Sequence, residues 1–287
     1  MRPVRPAPLL TTAAAACAAV HVAGILTARP VWRYAEVLAV ALLLACAVLG
    51  GPRAPGRALP AALAVLLVDA VRTMPAEPDR DGYGWKVSRP GDGIDVSSGV
   101  EFALSASWAS LAAVVLLLVV WRSGGWRPRP LAAASVAAVL ITGYAVIRVV
   151  DVWLAVRAEG RWYAIDVGDV VTAVILSVLP PVALGLAALV LAAVLAGHGR
   201  RLASAGAVLL ALVALPQLDA SVGVLSLPLG AGDRTALFAW YAITPTPSMP
   251  QPVAALTAAV ELLAYLLLVA GLTASPRGAR VTPAARS

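Results

Sequence analysis

Residues 168–197 read GDVVTAVILSVLPPVALGLAALVLAAVLAG, thirty positions with one charged side chain, Asp169. As a helix this run is about 45 Å long at 1.5 Å per residue, more than the ~30 Å hydrocarbon core of a bilayer. Such length and apolarity identify a membrane-crossing helix. Working outward with the same criterion, spans of about 20 mostly apolar residues fall at roughly 8–28, 31–50, 58–74, 101–121, 130–156, 168–197, 202–218 and 252–274. Two are marginal: 58–74 is short and carries Asp69, and 202–218 is short and ends near Pro216. The sequence therefore predicts an all-α, polytopic transmembrane bundle of about eight helices, with residues 1–287 as one integral membrane domain.

Composition agrees. Apolar residues make up 61% of the chain and charged residues only 13%. Soluble domains sit near half apolar and a quarter charged, so the surplus needs lipid as its solvent. The net charge of +7 does not form a phosphate-tracking stripe. The arginines stand in ones to threes at the ends of apolar runs, which excludes a nucleic-acid partner and leaves the lipid bilayer. Cys17 and Cys46 fall inside apolar runs at different depths and are expected to remain free. Arg2 and Arg5 precede the first apolar run, but it is longer than the ~7–15-residue core of a signal peptide and is read as a helix.

Basic residues set the orientation. With the N-terminus in the cytoplasm, the inner segments hold Arg2, Arg5, Arg53, Arg57, Arg122, Arg127, Arg129, Arg200, Arg201, Arg277, Arg280 and Arg286, and no Asp or Glu. An even number of spans then places both termini inside. If 58–74 did not cross, Trp121–Pro130 would face outward with three arginines, and the acid-rich loop 75–100 would face inward. The expectation is a multi-pass protein of the cell membrane. Its outer loops are 75–100 and 219–251, the first loosely ordered, tolerant of shortening and able to form a short hairpin through Gly91–Gly93. Within the second, Thr235–Ile243 suits an interfacial or re-entrant segment, and the proline-rich run after it an extended approach to the last helix.

Motifs for common chemistries are missing. There is no HExxH, P-loop, GxSxG or CxxC, and the two histidines, His21 and His198, lie too far apart for a bis-histidine haem. No cofactor and no metal are expected. Asp79, Asp81 and Gly84 match three positions of a calcium loop, but Pro90 stands where its glutamate belongs, which fits a solvated acidic loop better. Asp166 and Asp169 have DxxD spacing, and carboxylates also favour the positive end of a helix dipole, which explains them without a metal. No run carries a family signature.

Ionisable residues inside the spans are more informative, because each is costly in lipid and faces the bundle interior. They are His21, Glu36, Asp69, Arg148, Asp151 and Glu261, with Asp169 at a span end. Helical rise puts Glu261 about 13 Å, and His21 about 10 Å, below the outer surface. Arg148, Glu36 and Asp69 come out at about 7–12 Å, so the whole set occupies the outer half. Arg148 with Asp151, Arg33 with Glu36, and Asp69 with Arg72 are spaced for pairing on one helix face. Glu261 has no basic neighbour within a turn, which leaves Arg148 or His21 as partners across helices. The set predicts an outward-facing polar cavity above an apolar floor. Pro180-Pro181 should kink or break the sixth span there. Three functions fit: binding or transport of a small solute, a membrane-embedded enzyme acting on a lipid or isoprenoid, or an accessory or scaffold subunit with other membrane proteins as partners.

Overall fold

The thirty residues quoted above belong to one helix, against which three others pack. The computed structural model describes residues 6–49, 57–74, 85–88, 96–121, 126–159, 167–223, 225, 242–245 and 250–274. In chain order its helices are α1 (Pro6–Leu26), α2 (Pro30–Arg33), α3 (Ala35–Leu49), α4 (Ala58–Arg72), α5 (Val96–Trp121), α6 (Pro128–Glu159), α7 (Val167–Gly197), α8 (Arg201–Gly223) and α9 (Pro252–Thr273). Seven helical segments among the described residues are long and apolar enough to cross a membrane, α2 and α3 counting as one. This is a multi-pass membrane protein with an all-helical bundle.

α7 sits at the centre, against α5, α6 and α8. It stays helical through Pro180-Pro181, so of the expected kink or break no break occurs. Both prolines are buried between neighbouring helices, which hold the helix together across the missing amide donors. α4 has 15 residues and fails the length criterion that the other spans meet. It still runs antiparallel to α5: Leu59 and Leu63 share a crevice with Val114 and Leu117, and Asp69, further along, meets Trp108. At about 22 Å it stops short of a full bilayer thickness.

One core unites α1, α3, α4, α5, α7, α8 and α9 through alanine, leucine and valine, and α6 joins it at Ile141. α8 and α9 approach closest. A Cβ added at Gly206 would lie 2.5 Å from the Ala264 carbonyl oxygen, and one at Gly271 would overlap the Ala203 amide. A second core joins α6, α7 and the end of α8 through Val152, Val156, Val170, Val174 and Leu218. α6 otherwise turns outward, with Val139 71% and Leu140 68% exposed, as a lipid-facing helix requires.

Two boundaries differ from the sequence reading. α8 continues past Pro216 to Gly223, so Asp219 belongs to a helix and not to the loop. The span at 31–50 is split after one turn, with α2 leading into α3. Ala28, at φ 51°, reverses the chain before α2, and Gly24 lets Trp32 fold back to where a Cβ would be 2.7 Å away.

The loops contribute a two-stranded antiparallel ribbon, β1 (Trp85–Ser88) with β2 (Ala242–Pro245), in which Lys86 faces Thr244 and Val87 faces Ile243. β1 thus pairs with the other long loop, not with a hairpin partner of its own. Gly91–Gly93, most of Thr235–Ile243, the calcium-like residues Asp79, Asp81 and Gly84, Asp166, and Arg2, Arg5, Arg53, Arg122, Arg277, Arg280 and Arg286 lie outside the described residues.

Candidate functional site

Two ends of the bundle differ in chemistry. At one end Trp121 closes α5 and packs edge-on to His198, 4.9 Å between ring centroids. Arg200, in the turn to α8, donates to the carbonyls of Gly271 and Ala274 and so caps α9. At the other end the C-terminal halves of α1, α4 and α8 meet the N-terminal halves of α3, α5 and α9 around a cavity of about 760 Å³.

Four of the seven residues singled out from sequence line it: His21, Glu36, Asp69 and Glu261. Their partners sit on other helices. The His21 Nδ1–H donates to the Arg33 carbonyl oxygen at 2.9 Å, since a carbonyl can only accept. That turns Nε2 toward Glu36, 3.5 Å from Oε2. Asp69 Oδ1 accepts from the Trp108 indole at 2.8 Å.

Glu261 is the deepest acid. Its Oε1 accepts from the Ser110 hydroxyl at 2.7 Å, and Ser110 Oγ in turn accepts from the Tyr265 hydroxyl at 2.6 Å. Tyr265 stands one turn beyond Glu261 on α9, so the chain Tyr265–Ser110–Glu261 crosses from α9 to α5 and back. Thirteen residues past Pro252, Tyr265 marks a depth of about 20 Å along the helix. Below it the floor is apolar and closely packed. Leu63, Leu117, Leu210 and Leu268 are each at most 3% exposed.

Sequence reasoning passed over Ser110, Tyr265 and Gln217. Gln217 clamps α8 to α5, accepting from Ser107 and donating to the Ala106 carbonyl, both at 3.3 Å. Nothing local marks these residues: a helical serine ordinarily bonds its own backbone, as Ser177 does with Ala173. The one available signal was the i,i+4 spacing of Glu261 and Tyr265.

The other three lie elsewhere. Arg148 forms an ion pair with Asp219 at 2.9 Å, and Tyr144 donates to the same carboxylate at 2.7 Å. This cluster bridges α6 and α8, so Glu261 does not meet Arg148. Asp151 is exposed on α6, and Asp169 is exposed in the first turn of α7. The spacing-based pairs on single helices are replaced by contacts between helices: Arg148 with Asp219, Glu36 with His21, Asp69 with Trp108.

Among the described residues no lysine or arginine lines the cavity. No three His, Cys, Asp or Glu side chains among them converge closely enough to hold a metal ion. Comparison with protein-family models, curated proteins and solved structures finds no match.

Proposed function

We propose that this is a cell-membrane protein that binds a small solute in a cavity open to the outer face, as a transporter or solute receptor. The cavity carries the reading. Its volume of about 760 Å³ falls within the range of small-molecule sites, about 300–1,000 Å³. Polar groups from six helices converge in it, which helix packing alone does not require. The arginine distribution supports the side: Arg57, Arg127, Arg129, Arg200 and Arg201 belong to the cytoplasmic segments under the positive-inside rule, and the cavity lies at the opposite end. An accessory subunit whose charges only fix packing would be expected to have a dry, fully paired cluster.

Thiol accessibility tests this. Thr257 lines the cavity from α9. In a chain with Cys17 and Cys46 replaced by alanine, Thr257→Cys should react with a membrane-impermeant maleimide added to intact cells. Leu210→Cys, in the floor, should not. Protection of Thr257→Cys from the outside reagent, with labelling only after permeabilisation, would invert the orientation and remove the reading.

A further inference from the structure

We infer that the solute is an organic cation: an ammonium group carried on an apolar body. This rests on the cavity being a solute site and assigns its chemical class.

Charge comes first. Glu36, Asp69 and Glu261 face one cavity, and His21 is the sole basic side chain that lines it among the described residues. Glu36 meets His21, Asp69 accepts from Trp108, and Glu261 accepts from Ser110 with Tyr265 also beside it. Three acids in a pocket of low dielectric repel one another and attract a positive guest. An anionic solute would meet that repulsion, and among the described lining residues there is no lysine or arginine to receive it.

The spread of the acids then narrows the guest. They come from α3, α4 and α9 and do not converge tightly enough to coordinate a bare metal ion. They surround a space large enough for a molecule. An ammonium with carbon substituents presents its charge diffusely and suits carboxylates set around it, not a coordination shell. Between the acids stand Val40, Leu66, Phe102, Val253 and Leu262, with Thr73, Ser105 and Thr257 among them. The apolar share of the wall matches an apolar body on the cation. The Tyr265 hydroxyl is directed at Ser110 and the Ser110 hydroxyl at Glu261, so this acid is held in place before any guest arrives.

The test uses the full chain in nanodiscs and three probes of similar size: benzyltrimethylammonium, benzyl alcohol and benzoate. Binding is read by calorimetry and by protection of Thr257→Cys from a maleimide. The cation should bind at least tenfold more tightly than either of the others. Glu261→Gln and, separately, Asp69→Asn should each weaken it at least tenfold, measured on monodisperse protein. Asp169→Asn, outside the cavity, should leave it unchanged. Equal binding of all three probes, preference for benzoate, or full affinity in both cavity variants would overturn the assignment. If Thr257→Cys is reactive from outside but the cation neither binds nor protects it, the cavity remains a solute site and the cationic class fails. If Thr257→Cys cannot be reached from outside at all, both readings fall together.

Discussion

Glu261 is held by a serine hydroxyl that a tyrosine holds in turn, and that order determines how substitutions should behave. Ser110→Ala removes a donor from the carboxylate and an acceptor from Tyr265. A lost bond to a charged group costs about 1.5–3 kcal/mol, and an orphaned buried hydroxyl about 1–3 kcal/mol more. Thermal unfolding in detergent should therefore show a clear drop, larger than for Ser105→Ala, whose hydroxyl bonds only the Phe102 carbonyl of its own helix. Glu261→Leu runs the other way. An acid at mid-helix in lipid costs about 2.5–3.5 kcal/mol, so leucine should preserve or raise thermal stability while abolishing solute binding. A large loss of stability in Glu261→Leu would instead make the acid a packing element. The acids of the cavity were legible in the sequence because charge in an apolar run stands out. Ser110, Tyr265 and Gln217 were not, because nothing in a serine's or tyrosine's neighbours along the chain reveals a contact with another helix. Arg148 illustrates the same limit. Its sequence-near partner was Asp151, and its partner in space is Asp219.

Helix boundaries were legible to the extent that hydrophobicity defines them. Seven of the eight apolar runs each coincide with one helix, and the run at 31–50 with α2 and α3 together, since lipid forces every backbone amide into an internal hydrogen bond. The errors fall at prolines. Pro216 and Pro180-Pro181 were read as interruptions, yet α8 and α7 pass through them because tertiary packing outweighs local propensity. Close helix approach was also invisible, although its residues were in plain view. α8 and α9 touch backbone to backbone at Gly206 and Gly271, as small residues permit in membrane bundles. Gly206→Ala should force these helices apart and cost about 1–3 kcal/mol, the usual range for overpacking. Gly143→Ala, where no atom lies within 4 Å of the added methyl, should be neutral or slightly stabilising. Melting curves of the two variants would check the contrast, and equal behaviour would contradict the α8–α9 contact.

For the whole molecule, the loops between spans are more connected than their composition implies. The composition of loop 75–100 implies loose order with at most a short hairpin of its own, but β1 within it pairs with β2 of the second long loop. No periodicity could announce that pairing, because the two four-residue strands lie far apart in the chain. Val87→Cys with Ile243→Cys, directly opposite in register, should form a disulfide under mild oxidation, seen as a shift in gel mobility after proteolysis between the strands. Shortening at Asp79–Tyr83 should leave that crosslink intact, and its loss would show that the loop length sets the register. Maleimide labelling from outside should reach cysteines placed in the two long loops but not near Arg127 or Arg200.

The leucine floor beneath Tyr265 also has an electrical meaning. Voltage across a membrane falls where water is absent, and each unit charge moved through 100 mV gains or loses about 2.3 kcal/mol. Were solvent to fill the cavity to Tyr265, about 20 Å down α9, most of the field would be focused across the remaining layer of Leu63, Leu117, Leu210 and Leu268. The proposed cation beside Glu261 would then have crossed little of the potential, and its occupancy should hardly respond to voltage. Any step that carried it past the leucines would take up nearly the entire drop, so current or flux would rise steeply with polarisation while equilibrium binding stayed flat.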